Sequence, residues 1–422
     1  MIPKESHSMR HRGAPGLRVF YRLRPFALVV SCLLASCATS REDYDVTTAS
    51  LATVPNFENL RAYLDGPPGS VSNLNEWRPG TRDGSLDYLA LSSGGAGGAF
   101  SVGILSEWSR SGQRPEFDIV SGVSTGALIA PFAFLGQTYD EKLKILYTTD
   151  LAKDLYAPKA LPVAAMGNSI LTQEPLRALV QHHLNRRVVD AIANEHRRGR
   201  RLFVLTTNLD YQRAVVWNIG AIAATDRTEA LKLIQDVVIA SASVPGLFPP
   251  VFIKSGFGKK VIEEMHVDGG ASTQLLTLPE ALLSRVAPPA RVPSGTAKLY
   301  VIVNNALMPE FGTTTNRVIP IMARAYSILI KSQTKASLAA LYAFTNQIGI
   351  RLQIASIDEQ IPYDAFSPFD PAYMRAVFEL GQHRLRTGGL WKDHPFFPAR
   401  EIPDELSPPA SSEKANARVR KH

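Results

Sequence analysis

Phe117-Asp118-Ile119-Val120-Ser121-Gly122-Val123-Ser124-Thr125-Gly126-Ala127-Leu128-Ile129 is the stretch that decides how this chain folds. Phe117 to Ser121 has the length and apolar content of a buried strand, and Ala127 to Leu135 is an apolar segment suited to a helix inside a core. Between them lies Gly122-Val123-Ser124-Thr125-Gly126, a G-x-S-x-G pentapeptide. Strand, sharp turn and helix in that order predict a nucleophile elbow. The serine sits on a strained turn, and the flanking glycines let neighbouring backbone approach without a Cβ clash. Composition alone gives such a pentapeptide about 0.1 times in a chain of this length, so the strand and helix around it carry more weight than the motif. An ordinary Gly/Ser turn is the competing use.

The same arrangement stands upstream. Tyr88 to Ser92 is a strand candidate, Ser92-Ser93-Gly94-Gly95-Ala96-Gly97-Gly98 a glycine loop, and Ala99 to Arg110 has helical spacing. Exposed N–H groups near a helix N-terminus can cradle a phosphate or hold an oxyanion. The dinucleotide fingerprint does not register, because Phe100 stands where its last glycine is needed, and there is no Walker lysine. Leu202 to Thr206, Leu299 to Val303 and Arg351 to Ile357 read as further strands, with paired strands around Val251 to Ile253 and Lys260 to Val267. Arg227 to Ser241, Arg317 to Phe344 and Pro371 to Arg386 read as helices. Strands alternating with helices predict an α/β domain around a largely parallel sheet, with no linker that splits residues 86 to 400. The apolar stripe in Ile319 to Leu341 is expected to face the core. Asp268-Gly269-Gly270 follows a strand candidate and can present a carboxylate to a cleft, although a hairpin turn is the commoner use of Asp-Gly.

Taken together, Ser93 to Gly98, Gly122 to Gly126 and Asp268 to Gly270 resemble, in order and spacing, the patatin-like phospholipase family. Thr206 to Arg213 and Ala240 to Pro250 also look like bacterial members. The resemblance covers about residues 86 to 287 and implies a three-layer α/β/α fold and a lipid acyl hydrolase with a Ser-Asp dyad. On that resemblance Ser124 is the nucleophile, Asp268 the base, and the N–H groups of Gly94 and Gly95 the oxyanion hole. Gly98, Gly122, Gly126, Gly269 and Gly270 support the motifs. The implied substrate is a lipid or other acyl ester. Family loops usually read Gly-Gly-Gly-x-Arg/Lys-Gly, whereas Ser93 stands here for the first glycine and Gly97 for the basic residue.

The 46 Lys+Arg and 38 Asp+Glu give a net charge of +8, which suggests a polyanionic partner until the charge is located. Residues 1 to 36 carry +5 and residues 414 to 422 carry +4, so residues 37 to 413 sit at −1. A nucleic-acid footprint on the folded body therefore loses its support, and no nucleic-acid partner is expected. Basic residues through Arg24, the apolar run Phe26 to Ala35 and then Ser36-Cys37 have the order of a secretory signal. Leu34-Ala35-Ser36-Cys37 resembles a bacterial lipobox, which implies cleavage before Cys37, acylation of its thiol and a membrane tie. A plain signal or an uncleaved anchor is the alternative. Ala38 after the cysteine, in the enterobacterial sorting pattern, implies the outer membrane, with the enzyme facing the periplasm. The expected organisation is a signal over 1–36, a tether and lead-in over 37–85, the hydrolase domain over 86–400 and a basic tail over 401–422.

Two rival readings stay open at this stage. His383 or His394 can complete an α/β-hydrolase triad after Asp268, or the fold can serve as a non-catalytic binding module of the envelope. His266 shares the face of Asp268 on a strand and is expected to be a structural or rim residue. Asp118 is expected to be exposed at a strand start. His182-His183, Glu195 and His196 lack metal spacing on a shared face, so neither a catalytic metal nor a cofactor is expected.

Overall fold

Apolar runs of five to ten residues build a central sheet buried on both faces. The computed structural model describes residues 41–66, 74–80, 84–155, 157–160, 167–277, 297–363 and 369–395. The expected signal segment, Cys37 and the basic tail lie outside the described residues. The chain divides into two units, residues 1–49 and 50–422. Of the first, residues 41–49 are described, and they open a short helix, Val46–Leu51.

Among the described residues the sheet has nine strands: β1 (Arg61–Tyr63), β2 (Leu86–Leu91), β3 (Ile119–Val123), β4 (Arg201–Asn208), β5 (Arg213–Asn218), β6 (Val251–Phe257), β7 (Lys260–Asp268), β8 (Ala297–Ala306) and β9 (Arg351–Ile357). Its order is β1-β5-β4-β3-β2-β8-β9, and β7 also pairs with β4 and with β6. The five strands from β4 to β9 along this path run parallel, while β5, β1, β6 and β7 join antiparallel.

Alternation within each strand feeds two cores. Leu89, Leu91, Val120, Leu202 and Val204 face one side, and Tyr88, Ala90, Ile119, Phe203 and Leu205 face the other. Residues from α1 (Gly98–Arg110), α2 (Thr125–Leu135), α3 (Arg186–Arg197), α4 (Ala230–Ser241) and α6 (Pro371–Arg386) fill the first core. Leu338 and Leu341 of α5 (Val318–Ile348), with Trp77, Leu275 and Leu276, fill the second. Helices on both faces of a mostly parallel sheet make the three-layer α/β/α fold. Local signals set the helix ends. Asp370 caps α6 by accepting from the N–H groups of Ala372 and Tyr373 ahead of Pro371, and Gly349, at φ 84°, closes α5 in the left-handed region.

Three sequence expectations change. The folded unit begins at Ser50, not 86, because β1 pairs with β5 and Thr53 bridges Gly256. Part of the expected lead-in is therefore sheet. Asp118 is buried, not exposed: its carboxylate accepts from the N–H of Asp87 (2.9 Å), which locks the starts of β2 and β3 together. The stripe in α5 splits as well. Its C-terminal half is core, but Val318, Ile321, Met322, Ile328 and Leu329 point to solvent.

Candidate active site

β3 runs two residues past the predicted strand end, so Val123 leads straight into Ser124. Ser124 has φ 57° and ψ −122°, a strained conformation for a residue with a Cβ, and α2 begins at the next residue. The turn is tight enough to require its glycines. A Cβ on Gly122 would stand 2.3 Å from the Gly126 carbonyl oxygen, and one on Gly126 would stand 2.4 Å from that of Leu91. The Ser124 N–H donates to Ser241 Oγ (3.0 Å) at the end of α4, which fixes the elbow from outside its own motif.

Register explains how a carboxylate arrives beside it. β3 pairs along β4 until Val123 meets Leu205, and there the chain leaves the sheet at Ser124. β7 takes up the vacated edge of β4, with Asp268 opposite Thr206, Val267 opposite Thr207 and His266 opposite Asn208. Asp268 therefore occupies the sheet position that β3 gives up when it turns. Its N–H donates to the Ser243 carbonyl (2.9 Å), its Oδ1 accepts from the Gly270 N–H (2.7 Å), and Thr207 Oγ1 donates to its carbonyl (2.9 Å). Oδ2 is buried and has no hydrogen bond of ordinary geometry. Burial pushes the carboxyl from 3.8 up to about 7, against the opposing pull of the Ser124 hydroxyl and the Gly270 N–H. That makes a base poised near neutrality within influence of a strained serine.

The glycine loop is clamped from two sides. The Asn304 N–H donates to Ser92 Oγ (2.8 Å), its Nδ2 donates to the Ser92 carbonyl (2.8 Å), and its Oδ1 accepts from Ser101 Oγ (2.6 Å). On the other side the Ser93 N–H donates to the Gln274 carbonyl (3.1 Å) and the Ser93 hydroxyl donates to Gln274 Oε1. Gln274 Nε2 in turn reaches the Gly270 carbonyl (2.6 Å). Gly95 takes the left-handed conformation at φ 53°, opening a 3₁₀ turn over Gly95–Gly97 that leads into α1. A left-handed residue at a helix start is a geometry from which successive backbone N–H groups can hold an anion.

The family model for patatin-like phospholipases matches residues 89–279. This stretch is a patatin-like phospholipase domain. The match takes in the glycine loop, the elbow and Asp268-Gly269-Gly270. No curated protein matches the chain in sequence. Among solved structures, VipD from Legionella pneumophila is similar at 11% identity, over 84% of this chain and 72% of that one, with a TM-score of 0.35.

Within the patatin-like domain the two departures in the loop have local causes. A Cβ on Gly97 would stand 1.9 Å from the Asn304 carbonyl oxygen, so no side chain fits there in this chain. Ser93 uses its hydroxyl to tie the loop to the Asp-Gly-Gly segment. The accessory stretches also gain roles. Ala240 to Pro250 supplies Ser241 and Ser243, one partner for each member of the pair, and Thr206 to Arg213 supplies Thr206 and Thr207.

The histidines sit elsewhere. His266 is buried, with Nδ1 at 2.9 Å from Thr206 Oγ1 and Nε2 at 3.0 Å from Glu264 Oε2. The Glu264 carboxylate can only accept, so the neutral ring keeps its proton on Nε2 and Nδ1 accepts from the Thr206 hydroxyl, which itself accepts from Trp217 Nε1 (2.8 Å). Burial pushes the imidazole below its usual range, which suits this neutral form. Burial alone would raise Glu264, but Arg61, with a two-pronged ion pair, brings it down to about 2. Arg61 thus reaches from β1 to the strand that carries Asp268. His383 and His394 are exposed, whereas Ser124 and Asp268 are 5% and 2% exposed. His196 pairs with Glu76 (2.8 Å), and among the described residues no three His, Cys, Asp or Glu side chains gather to hold a metal.

Proposed function

We propose that this chain is a membrane-anchored serine acyl hydrolase that cleaves lipid esters through a Ser124-Asp268 dyad. The observation that carries the reading is the placement of Asp268 in the sheet position vacated at Ser124, with Oδ2 buried and without an ordinary partner. Ser124 Oγ attacks the ester carbonyl while its proton passes to Asp268. The oxygen of the tetrahedral intermediate rests on the N–H groups of Gly94 and Gly95, where one donor is worth about 10²–10³ in rate. Collapse expels the alcohol, which takes the proton from Asp268 and leaves an acyl-Ser124. Water gives a proton to Asp268 and attacks the acyl group. The fatty acid leaves, and the proton returns to Ser124 Oγ.

The proposal includes attachment through an acylated Cys37 at the periplasmic face of a bacterial outer membrane, where lipid substrates lie within reach. Fluorophosphonate labelling of the purified protein tests the chemistry. Labelling is expected at Ser124 and lost in Ser124→Ala. A folded wild-type chain that takes no label would leave the binding-module reading in its place. Metabolic incorporation of a fatty acid, expected in wild type and absent in Cys37→Ser, tests the anchor.

A further inference from the structure

Helix α5 carries an apolar stripe that faces away from the protein. Val318, Ile321, Met322, Ala325, Ile328 and Leu329 fall at i, i+3, i+4, i+7, i+10 and i+11, one face of a helix, and all six are exposed. Leu329 is 66% exposed and Met322 also 66%. The opposite face is spent on the protein, where Thr334, Leu338, Leu341 and Thr345 are buried. Arg324, Lys331 and Lys335, at i+6, i+13 and i+17, line one border of the outward stripe; Lys331 also pairs with Glu310 (3.3 Å) and Arg324 donates to the Glu310 carbonyl, so the border is net positive with part of its charge held by the protein. From residue 310 to 357 the chain has five cations and one acid, Glu310, although residues 37 to 413 as a whole sit at −1.

The helix is also continuous with the candidate site. Gln333 Nε2 donates to the Ser272 carbonyl (2.5 Å), and Gln274 Nε2, which reaches Gly270, also reaches Gln333 Oε1 (3.3 Å). Tyr326, pushed up to about 12 first by burial and then by the Asp268 charge, lies within electrostatic range of the carboxylate. No helix among the described residues is long and apolar enough to cross a membrane. A helix with an apolar face, a cationic border and no acid suits the plane of a lipid interface.

We infer that the outward face of α5 docks the catalytic domain on an anionic phospholipid surface, its apolar stripe among the acyl chains and its net-positive border toward the headgroups. This goes beyond the N-terminal tie, which holds the chain near a membrane but sets no orientation. It rests on the hydrolase reading only for its purpose. Docking brings the site that Gln333 and Tyr326 adjoin against the lipid.

Two measurements test it. On a Ser124→Ala background, Leu329→Trp and Ile328→Trp each place a reporter on the stripe. Its fluorescence should be quenched by brominated lipid in phosphatidylglycerol-containing vesicles, and quenched less in pure phosphatidylcholine. An added tryptophan that is not quenched overturns the inference, however the N-terminus is held. In the active chain, Ile328→Glu/Leu329→Glu should keep turnover of a short soluble ester within about twofold and lose roughly tenfold or more on anionic vesicles. Unchanged vesicle turnover overturns the docking, as does conversion of an oligomer to a monomer with vesicle turnover intact, since the stripe then meets a second copy. A wild-type chain that cleaves neither substrate defeats the hydrolase reading, while the quenching still decides the docking.

Discussion

Asp268 should make the folded chain less stable as pH rises, and the size of the effect follows from its surroundings. Its carboxyl sits at about 7 in the folded protein against an ordinary 3.8, with burial as the main cause. Between those values the native chain holds a proton that the unfolded chain has released, so stability falls through that window and levels off above it. Each unit is worth roughly 1.4 kcal/mol; roughly 2 kcal/mol is lost by pH 5 and roughly 4 kcal/mol by pH 8, leaving roughly 2 to 3 kcal/mol between the two. Asp268→Asn removes the titration with little change of shape. Whatever the amide gains or loses in hydrogen bonding is the same at both pH values and cancels. Urea unfolding of wild type and variant at pH 5 and pH 8 should therefore show the variant gaining roughly 2 to 3 kcal/mol on wild type across that interval. The same ionisation governs catalysis in the proposed mechanism, because only the carboxylate can take the serine proton. With about 1% ionised at pH 5 and about nine-tenths at pH 8, kcat/KM on a soluble ester should rise by roughly two orders of magnitude. A wild-type-to-variant difference that stays constant to within about 0.5 kcal/mol between the two pH values would refute the assignment of Asp268 as a buried, raised carboxyl.

Restoring the basic residue of the family loop should fail here. Gly97→Arg sets a Cβ against the Asn304 carbonyl, a backbone atom that cannot swing aside, and should cost at least about 2 kcal/mol in urea unfolding and abolish Ser124 labelling. An arginine variant as stable and as reactive as wild type would show that the loop is not clamped as described. Arg61→Ala strands the buried Glu264 carboxylate and should cost about 3–5 kcal/mol, whereas Arg61→Met/Glu264→Met should cost much less. Glu264 lies at about 2 against an ordinary 4.5, so its contribution is present above 4.5 and fades as pH falls toward 2. The Arg61→Ala deficit measured by chemical denaturation should shrink over that range.

What was legible in the sequence was local. The elbow can be read from Val120 to Ala127 because its physics is confined there: a strand, a strained residue and two glycines whose absent side chains leave room for Gly126 and Leu91. The partners that hold it are remote. Ser241 reaches Ser124 across 117 residues, and Arg61 and Asn304 reach Glu264 and Ser101 across 203. Asn304 showed only as a polar residue ending the apolar run of β8, which reads as a strand end. Periodicity had the same limit in α5, since a 3.6-residue repeat reveals a stripe but not whether protein or solvent lies opposite. Asp118 was misplaced for a related reason: its burial depends on the neighbouring strand's Asp87 N–H, which no local pattern reports.

The altered loop gives the sharpest case. As a string, Ser93 and Gly97 look like losses from the family pattern. In the fold they meet residues on other elements. Asn304 fills the space over Gly97 and hydrogen-bonds the Ser92 peptide, while Ser93 and Gln274 join the loop to Gly270. The glycine loop and the Asp268 segment therefore form one hydrogen-bonded body, and Gln333 extends it to α5. A displacement of α5 at a lipid surface would then reach the glycine loop and the Asp268 segment together, through Gln274, without passing through Ser124.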